Sequence, residues 1–303
     1  MAPLGIATVS AMDVHLVDGT YELFRFYYAL PEHIDPAGIN VGAVRGVVAS
    51  MLELLEQGAT HVGVATDHVI ESFRNELYDG YKDGSGIDPV LFTQFPILED
   101  ALGALGVTVW AAVEVEADDA LASGAAVAAG DPRVTRALIC TPDKDLAQCV
   151  HDPEVAQLDR RKGQVFDEAG VRAKFGVPPE SIPDWLALVG DSADGFPGLP
   201  GWGAKSAAAV LAHYLHIDAI PDLALEWDVE VRGATRLAAT LAEHRDDARL
   251  YLELATLRTD AAVGVVDDWC WTGPTPAFAD WAERLGRPTL AKRADALAAK
   301  RAT

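Results

Sequence analysis

The sequence predicts an α/β fold with a mostly parallel sheet flanked by helices, followed by a helical C-terminal part. Through the first half of the chain, short apolar runs typical of buried strands alternate with longer amphipathic patterns typical of helices. Beyond Phe175 the strand pattern fades and helical patterns dominate. Several apolar runs end in acidic residues, and the carboxyl ends of parallel strands meet in the crevice where α/β proteins bind ligands.

Each element of the first half is predicted from its apolar periodicity and its flanking glycines. Strands are expected at residues 13–19, 61–66, 107–110 and 136–141, helices at 41–57 and 96–106, and a helix or loop rich in aromatic residues at 20–30. Arg25 lies among those aromatic residues, where a place in the core does not explain it. A hairpin is expected at 155–166, and we interpret Arg160, Arg161 and Lys162 as its charged turn.

Composition indicates a globular protein of one large domain or two. The chain has 303 residues, of which half are hydrophobic and 23% are charged. Its formal net charge of −22 predicts weak non-specific binding to nucleic acid unless the basic residues are concentrated on one face. The cysteines, Cys140, Cys149 and Cys270, lack metal-ligand spacing and are typical of free thiols in a reducing cytosol.

The sequence predicts no contact with membranes. No apolar run approaches the length of a membrane span, and residues 1–11 lack the basic region of a signal peptide. We therefore expect a cytoplasmic location. Met12 lies directly before the first strand and is an alternative candidate for the translation start.

Three acidic residues at one helix start are central to the functional prediction. Glu116, Asp118 and Asp119 follow the strand at 107–110 and open an alanine-rich helical pattern. Acidic residues in a first turn cap the helix and complement its dipole, so capping is one explanation. Four further carboxylates follow the other predicted strands and favour a shared site: Asp18, Asp67, Asp143 and Asp145.

Carboxylates gathered in one small volume repel one another and lose hydration unless a counter-ion is present. Oxygen ligation without Cys or His at ligand spacing favours Mg²⁺ or Mn²⁺ over zinc. The sequence therefore predicts a divalent-metal carboxylate site. Asp143 and Asp145 would lie on one side of an extended backbone, with Lys144 between them pointing away.

Two glycine-containing segments suit contact with nucleic acid. Residues 72–86 interleave Arg74, Tyr81 and Lys82, a mixture typical of phosphate and base binding, although a solvated surface loop is equally consistent with it. Residues 191–203 are rich in glycine and enter a helix at Ala204, where backbone N–H groups can bind phosphate. An ordinary connecting loop is the alternative there.

Five motifs in order resemble the bacterial 5′-3′ exonuclease and flap endonuclease family, the nuclease domain found at the N-terminus of DNA polymerase I: VDGTYELFR, SFRNELYDGYK, VEADDALAS, CTPDKDLAQ and GDSADGFPGLPGWGAKSA. The resemblance covers residues 14–260, and because no polymerase sequence follows we expect a stand-alone member. It implies a PIN-like (Rossmann-like) catalytic core at 12–166, a helix-three-turn-helix DNA-binding subdomain at 167–262 and a helical tail at 263–303.

The resemblance also implies the site residues. Lys82 and Arg74 match basic residues near the scissile phosphate, and we expect a catalytic role for these two and for Arg25. The hairpin at 198–203 resembles the family's duplex-gripping turn, which can hold K⁺ beside a phosphate. Two or more Mg²⁺ or Mn²⁺ ions would bind two clusters of acids: Asp18, Asp67, Glu116, Asp118 and Asp119, then Asp143, Asp145, Asp191 and Asp194. The expected DNA contacts are Tyr81, Gly198, Gly201, Trp202, Gly203 and Lys205.

Three positions depart from the family pattern. Ser85 stands where a further Arg is usual, Gly195 where Asn is common, and Trp202 where a smaller aliphatic residue is found. None of them removes a metal ligand, so we expect effects on rate and substrate preference more than on activity.

We predict a structure-specific 5′ nuclease that hydrolyses DNA at flaps, nicks and 5′ ends and leaves 5′-phosphates, as replication and repair require. Two alternatives stay open: a protein that binds flaps or junctions without cutting, and an RNA-directed PIN-type nuclease. No protein partner is inferable from the sequence.

Overall fold

The structure, a computed structural model, describes residues 12–302. Residues 1–11, on which the signal-peptide prediction depends, lie outside the described part of the chain. Within residues 12–302, no helix is both long enough and apolar enough to cross a membrane.

One sheet organises the N-terminal part. Its strand order is β3-β2-β1-β4-β5-β6, and all neighbours are parallel except β5 and β6, which are antiparallel. Val17 pairs with Val64 on one side and with Cys140 on the other, so three strands end at the same level. The predicted parallel sheet is confirmed. The strands are β1 (Met12–Asp18), β2 (His61–Asp67), β3 (Thr108–Ala112), β4 (Val134–Cys140), β5 (Val155–Asp159) and β6 (Gln164–Phe166).

Helices connect the strands and form the C-terminal part. The aromatic segment after β1 is a helix because Asp18 caps it: the Tyr21 backbone N–H donates to Asp18 Oδ1 over 2.8 Å. The helices are α1 (Gly19–Ala29), α2 (Gly42–Glu56), α3 (Arg74–Leu77), α4 (Pro89–Phe92), α5 (Gln94–Leu105), α6 (Ala117–Ala129), α7 (Glu168–Phe175), α8 (Ile182–Val189), α9 (Ala204–Tyr214), α10 (Ala234–Glu243), α11 (Arg245–Ala255), α12 (Phe278–Arg284) and α13 (Thr289–Arg301).

The sheet is covered on both faces. On one face, Val17 and Val64 lie in a core that is completed by α2, α5, α12 and α13. Phe278 of α12 is buried in this core. The other face packs against α6. In the core on this side, the rings of Trp110 and Trp269 meet edge to face, with their centres 5.3 Å apart. The predicted C-terminal tail therefore completes the core of the N-terminal sheet.

A second core lies among α8, α9, α10 and α11 and includes the fully buried Leu186, Leu211 and Leu241. Tyr81, from the segment before α4, is also part of this core. The domain limits expected at residues 166 and 262 stay predictions, and we propose them as such.

The two parts approach closely where Gly80 meets Gly195. Gly195 has a φ of +89°, and a Cβ there would lie 2.1 Å from the Gly80 carbonyl oxygen. Beside this contact the Lys82 backbone N–H donates to the Asp194 carbonyl over 3.1 Å. Both the positive φ and the approach explain why glycine occupies this position.

Gly195→Ala is expected to lower the free energy of unfolding by about 1–3 kcal/mol, because the new Cβ must displace the Gly80 backbone while the positive φ is strained. Urea denaturation measures the change. Gly86→Ala is the matched control, since its Cβ would meet no atom within 4 Å. Equal effects of the two substitutions would contradict the contact.

Candidate metal centre and active site

The predicted acidic residues lie together at the carboxyl ends of the strands. Asp18 ends β1, and its Oδ2 accepts a hydrogen bond of 2.8 Å from Thr141 Oγ1, directly after β4. Asp67 ends β2, and its Oδ1 accepts from the Ala117 backbone N–H at the start of α6 over 2.8 Å. One bond thus joins the ends of β1 and β4, and the other joins the end of β2 to the helix that carries Asp118.

A second group of carboxylates lies beside the first. Asp145, Asp191 and Asp194 are buried, and each places a carboxylate oxygen within 4.8 Å of the others. Asp143 and Asp145 were expected on one side only if the backbone stays extended, and it does not, because Asp145 begins a 3₁₀ helix, Asp145–Cys149. The turn is stabilised by Asp143 Oδ1, which accepts from the Asp145 backbone N–H over 3.0 Å.

The electrostatics of both groups show an excess of negative charge. Burial, together with repulsion from Asp143 and Asp67, raises the pKa of Asp18 to about 7. The pKa values of Asp118 and Asp145 also lie well above the usual range, because both are removed from water and repelled by Asp143. An arrangement of this kind favours any cation that can enter it.

Two lysines partly balance that charge. Lys82 Nζ lies 2.7 Å from Glu116 Oε2 and 2.9 Å from Asp194 Oδ1, so one ammonium bridges residues of both groups. Lys144 was predicted to point away, and this was wrong. Its Nζ lies 2.5 Å from Asp191 Oδ2, because the surrounding carboxylates attract the ammonium.

Arg74 is buried beneath the carboxylates, which corrects its predicted position beside a substrate phosphate. Its side chain is 1% exposed, and its two terminal nitrogens donate to both oxygens of Asp119 over 2.8 Å each. Its Nε donates to the Leu254 carbonyl over 2.8 Å, and Nη2 donates to the Thr256 carbonyl over 3.1 Å. The guanidinium therefore joins the N-terminal acids to the end of α11.

Both carboxylate oxygens of Asp119 accept hydrogen bonds from donors within the protein. Besides Arg74, Oδ2 accepts from the Glu116 backbone N–H and Oδ1 from the Arg258 backbone N–H, each over 2.9 Å. The capping explanation thus accounts for Asp119, while it does not account for Asp118 or for the acids of the other strands.

Two further predicted contacts need correction. Tyr81 is 4% exposed and donates from its hydroxyl to Glu116 Oε2 over 3.3 Å, so it supports the site from below. Arg25 forms an ion pair with Glu22, and its guanidinium carbon lies 4.0 Å from the centre of the Phe26 ring. Among the contacts of the described residues, none joins Arg25 to the acidic groups.

The glycine-rich segment at 198–203 turns at Pro200 and Gly201 before it enters α9, and it contains one buried aromatic side chain. Gly198 and Gly201 have φ values of +68° and +82°, and Gly203 precedes α9. Trp202 is 7% exposed and donates from Nε1 to the Leu237 carbonyl over 3.2 Å, so its indole fills the second core and is not presented to DNA. Lys205 is exposed in the first turn of α9.

Sequence reasoning missed the hydroxyl groups that orient the acids. Ser72 Oγ donates to Glu116 Oε1 over 2.8 Å, and Thr20 Oγ1 accepts from the Asp67 backbone N–H over 2.9 Å. Thr141, described above, has the same role at Asp18. Their signal in the sequence is that each lies within one of the five motifs: Thr20 in VDGTYELFR, Ser72 in SFRNELYDGYK and Thr141 in CTPDKDLAQ.

Comparison with known proteins identifies relatives over most of the chain. Residues 13–176 match the family described as 5′-3′ exonuclease, N-terminal resolvase-like domain, and residues 177–276 match its C-terminal SAM fold. DNA polymerase I of Pseudomonas aeruginosa is 37% identical over 268 residues, which are 85% of this chain and 28% of that protein. The chain thus spans about a quarter of the length of the curated relatives it matches.

Two solved structures share the fold at low sequence identity. T5 5′-exonuclease with bound divalent zinc superposes with a TM-score of 0.66 at 18% identity. The superposition covers 94% of this chain and 98% of the T5 chain. The catalytic core of Rad2 in complex with DNA substrate gives a TM-score of 0.60 at 16% identity, over 98% and 94% of the two chains. Both confirm the mixed α/β fold with a C-terminal helical unit.

Arg74→Gln is expected to lower the free energy of unfolding by about 3–5 kcal/mol, because it leaves Asp119 buried without its partner. Chemical denaturation measures the loss. Arg161→Gln, at the exposed turn between β5 and β6, is the control and should change stability by less than about 0.5 kcal/mol. A loss below about 1 kcal/mol for Arg74→Gln would show that the buried pair is not important for stability.

The metal-free protein is expected to lose stability as the pH rises from about 4 to about 7. The Asp18 carboxyl has a pKa of about 7 in the folded protein and 3.8 in the unfolded chain, so the folded state holds more protons across this window. Asp18→Asn removes that contribution and should give a shallower slope in urea denaturation measured at each pH. Identical slopes for the two proteins would contradict the raised pKa.

Proposed function

The chain belongs to the 5′-3′ exonuclease family, and we propose that it hydrolyses DNA phosphodiesters from 5′ ends and flaps with the help of divalent metal ions. The observation that supports this most directly is the convergence of strand-end carboxylates whose charge the protein does not balance. The exact substrate, whether a flap, a nick or a free 5′ end, is part of the proposal.

The residues present fit a hard divalent cation. All candidate ligands are carboxylate oxygens, the donors that Mg²⁺ and Mn²⁺ prefer. Asp145 Oδ1 is buried and accepts no hydrogen bond from any described residue. An acceptor left in that state costs free energy that a bound cation would recover. Asp143, Asp145, Asp191 and Asp194 would hold one ion, and Asp18, Asp67, Glu116 and Asp118 would hold another.

Bound divalent ions would supply an activated water and stabilise the leaving oxygen of the phosphodiester. Lys82 is 30% exposed and lies between the two groups of acids, so its ammonium can neutralise charge on a phosphoryl oxygen that enters the site. Arg74 acts through Asp119 and Glu116, whose carboxylates it holds in place.

The hairpin at 198–203 is proposed to bind the sugar–phosphate backbone of a duplex, with exposed Lys205 beside it. Backbone carbonyls of the same hairpin are proposed to hold K⁺. Because the overall charge is −22, binding should depend on these few basic positions, and because few phosphates are neutralised it should weaken only gradually with salt. A flap-binding protein without activity and an RNA-directed nuclease are the rival functions that the following experiment separates.

Asp143→Asn is expected to reduce cleavage of a 5′-labelled flap duplex at least about 100-fold, because it removes an exposed carboxylate of the proposed metal site without breaking a buried ion pair. Asp119→Asn is the poorer choice, since Asp119 is the buried partner of Arg74. Cleavage is measured with Mg²⁺, with Mn²⁺ and with chelator, on flap, nicked and blunt DNA and on RNA of the same sequence. Asp100→Asn, an exposed acid on α5, is the control.

Metal-dependent release of DNA fragments by the wild type and the control, with loss in Asp143→Asn, is the expected outcome. DNA that is bound and stays intact with both metals would favour the non-cleaving function. Faster cleavage of the RNA would favour the RNA-directed nuclease.

A further inference from the structure

We propose that Lys144 is an internal counter-ion that occupies the second carboxylate group in the metal-free protein and is displaced from Asp191 when a divalent cation binds. The inference rests on the proposed metal site and adds to it a residue that opposes metal binding. Its role is distinct from that of Lys82, which we place near the substrate phosphate.

The position of the ammonium carries this inference. Lys144 Nζ lies 2.5 Å from Asp191 Oδ2 and 3.7 Å from Asp145 Oδ1. Those two carboxylates and Asp194 form the set whose oxygens lie within 4.8 Å of one another. The ammonium therefore contacts two of the three acids that a cation would use.

A divalent cation and an ammonium compete for the same oxygens. Both bind carboxylates through charge, and two positive groups on one oxygen repel each other strongly in a site of low dielectric constant. Asp145, Asp191 and Asp194 are 6%, 4% and 9% exposed, so water screens this repulsion weakly. A metal ion that binds Asp191 Oδ2 would have to remove the lysine from it.

The structure leaves room for that movement. The Lys144 side chain is 33% exposed, and a lysine ammonium is carried on a flexible stem of four carbons. The backbone at Lys144 precedes the 3₁₀ helix Asp145–Cys149 and has φ and ψ of −70° and −27°, which is ordinary helical geometry. Rotation of the side chain into solvent would free Asp191 without a change of the backbone.

Lys82 does not have the same arrangement. Its ammonium lies between Glu116 and Asp194, one from each group of acids. Its backbone N–H also donates a hydrogen bond to the Asp194 carbonyl. Lys144 pairs with Asp145 and Asp191, both of which belong to the second group. Its removal should therefore change metal binding at one site and leave the other unchanged.

The test measures Mn²⁺ binding to metal-stripped protein by calorimetry, for the wild type and for Lys144→Met. The variant should bind one class of Mn²⁺ at least about 10-fold more tightly, because the cation no longer displaces an ammonium. Without metal its thermal midpoint should lie below that of the wild type, and with saturating Mn²⁺ the difference should disappear.

Lys174→Met is the matched control for a general loss of positive charge. Lys174 also acts electrostatically on Asp143, yet its ammonium lies over the rings of Phe166 and Phe175, 4.9 and 4.8 Å from their centres. It should leave Mn²⁺ affinity within about 2-fold of the wild type. If Lys144→Met does not fold, Lys144→Gln replaces it with the same expected results.

The outcomes separate this inference from the proposed function. A wild type that binds no divalent cation would remove the metal site itself. A wild type that binds Mn²⁺, with equal or weaker binding by the Lys144 variant, would overturn the counter-ion role alone. A stability loss that persists at saturating Mn²⁺ would also overturn it, because Lys144 would then support the metal-bound protein as well.

Discussion

Repulsion among the carboxylates at the ends of β1, β2 and β4 is the constraint on which the surrounding structure depends. A sheet that brings these acids together can be stable only where positive charge and hydrogen-bond donors are supplied to them. Lys82 and Lys144 supply the charge from one side, and Arg74 supplies it from below. Hydroxyl groups such as Thr141 Oγ1 orient individual oxygens. The remaining excess of negative charge is what makes the site receptive to a cation.

The acids consequently divide into two kinds. Asp119 is saturated by protein donors and serves the architecture, whereas Asp145 retains a buried oxygen without a hydrogen bond from a described residue. Because Arg74 also donates to the carbonyls of Leu254 and Thr256, its guanidinium links Glu116 and Asp119 to the end of α11. Both parts of the chain are thus needed to form one site, although most of the acids come from the first.

Much of the fold and of the acidic site was predictable, because both follow from local patterns. Short apolar runs predicted β1, β2 and β4, and an alanine-rich helical pattern predicted α6. Because the carboxyl ends of parallel strands converge, Asp18 and Asp118 were expected to lie close together without knowledge of the packing. The directions in which the side chains of Lys144, Tyr81 and Trp202 point were not predictable from local patterns. Each depends on partners far away in the sequence, such as Leu237 for Trp202, and no local pattern shows on which side of a loop a side chain lies.

The packing of the last helices onto the first strands has a consequence for synthesis. Arg284 reaches Asp35 across 249 positions of the sequence, and Arg293 reaches Glu56 across 237. The core that α12 and α13 complete is the one that β1 and α2 begin. Because ribosomes deliver the N-terminus first, α1 and α5 can pack on α2 early, whereas the apolar surface that α12 and α13 cover stays exposed until residues 278–301 have been made. The chain therefore has a long interval in which chaperones or premature self-association compete with folding.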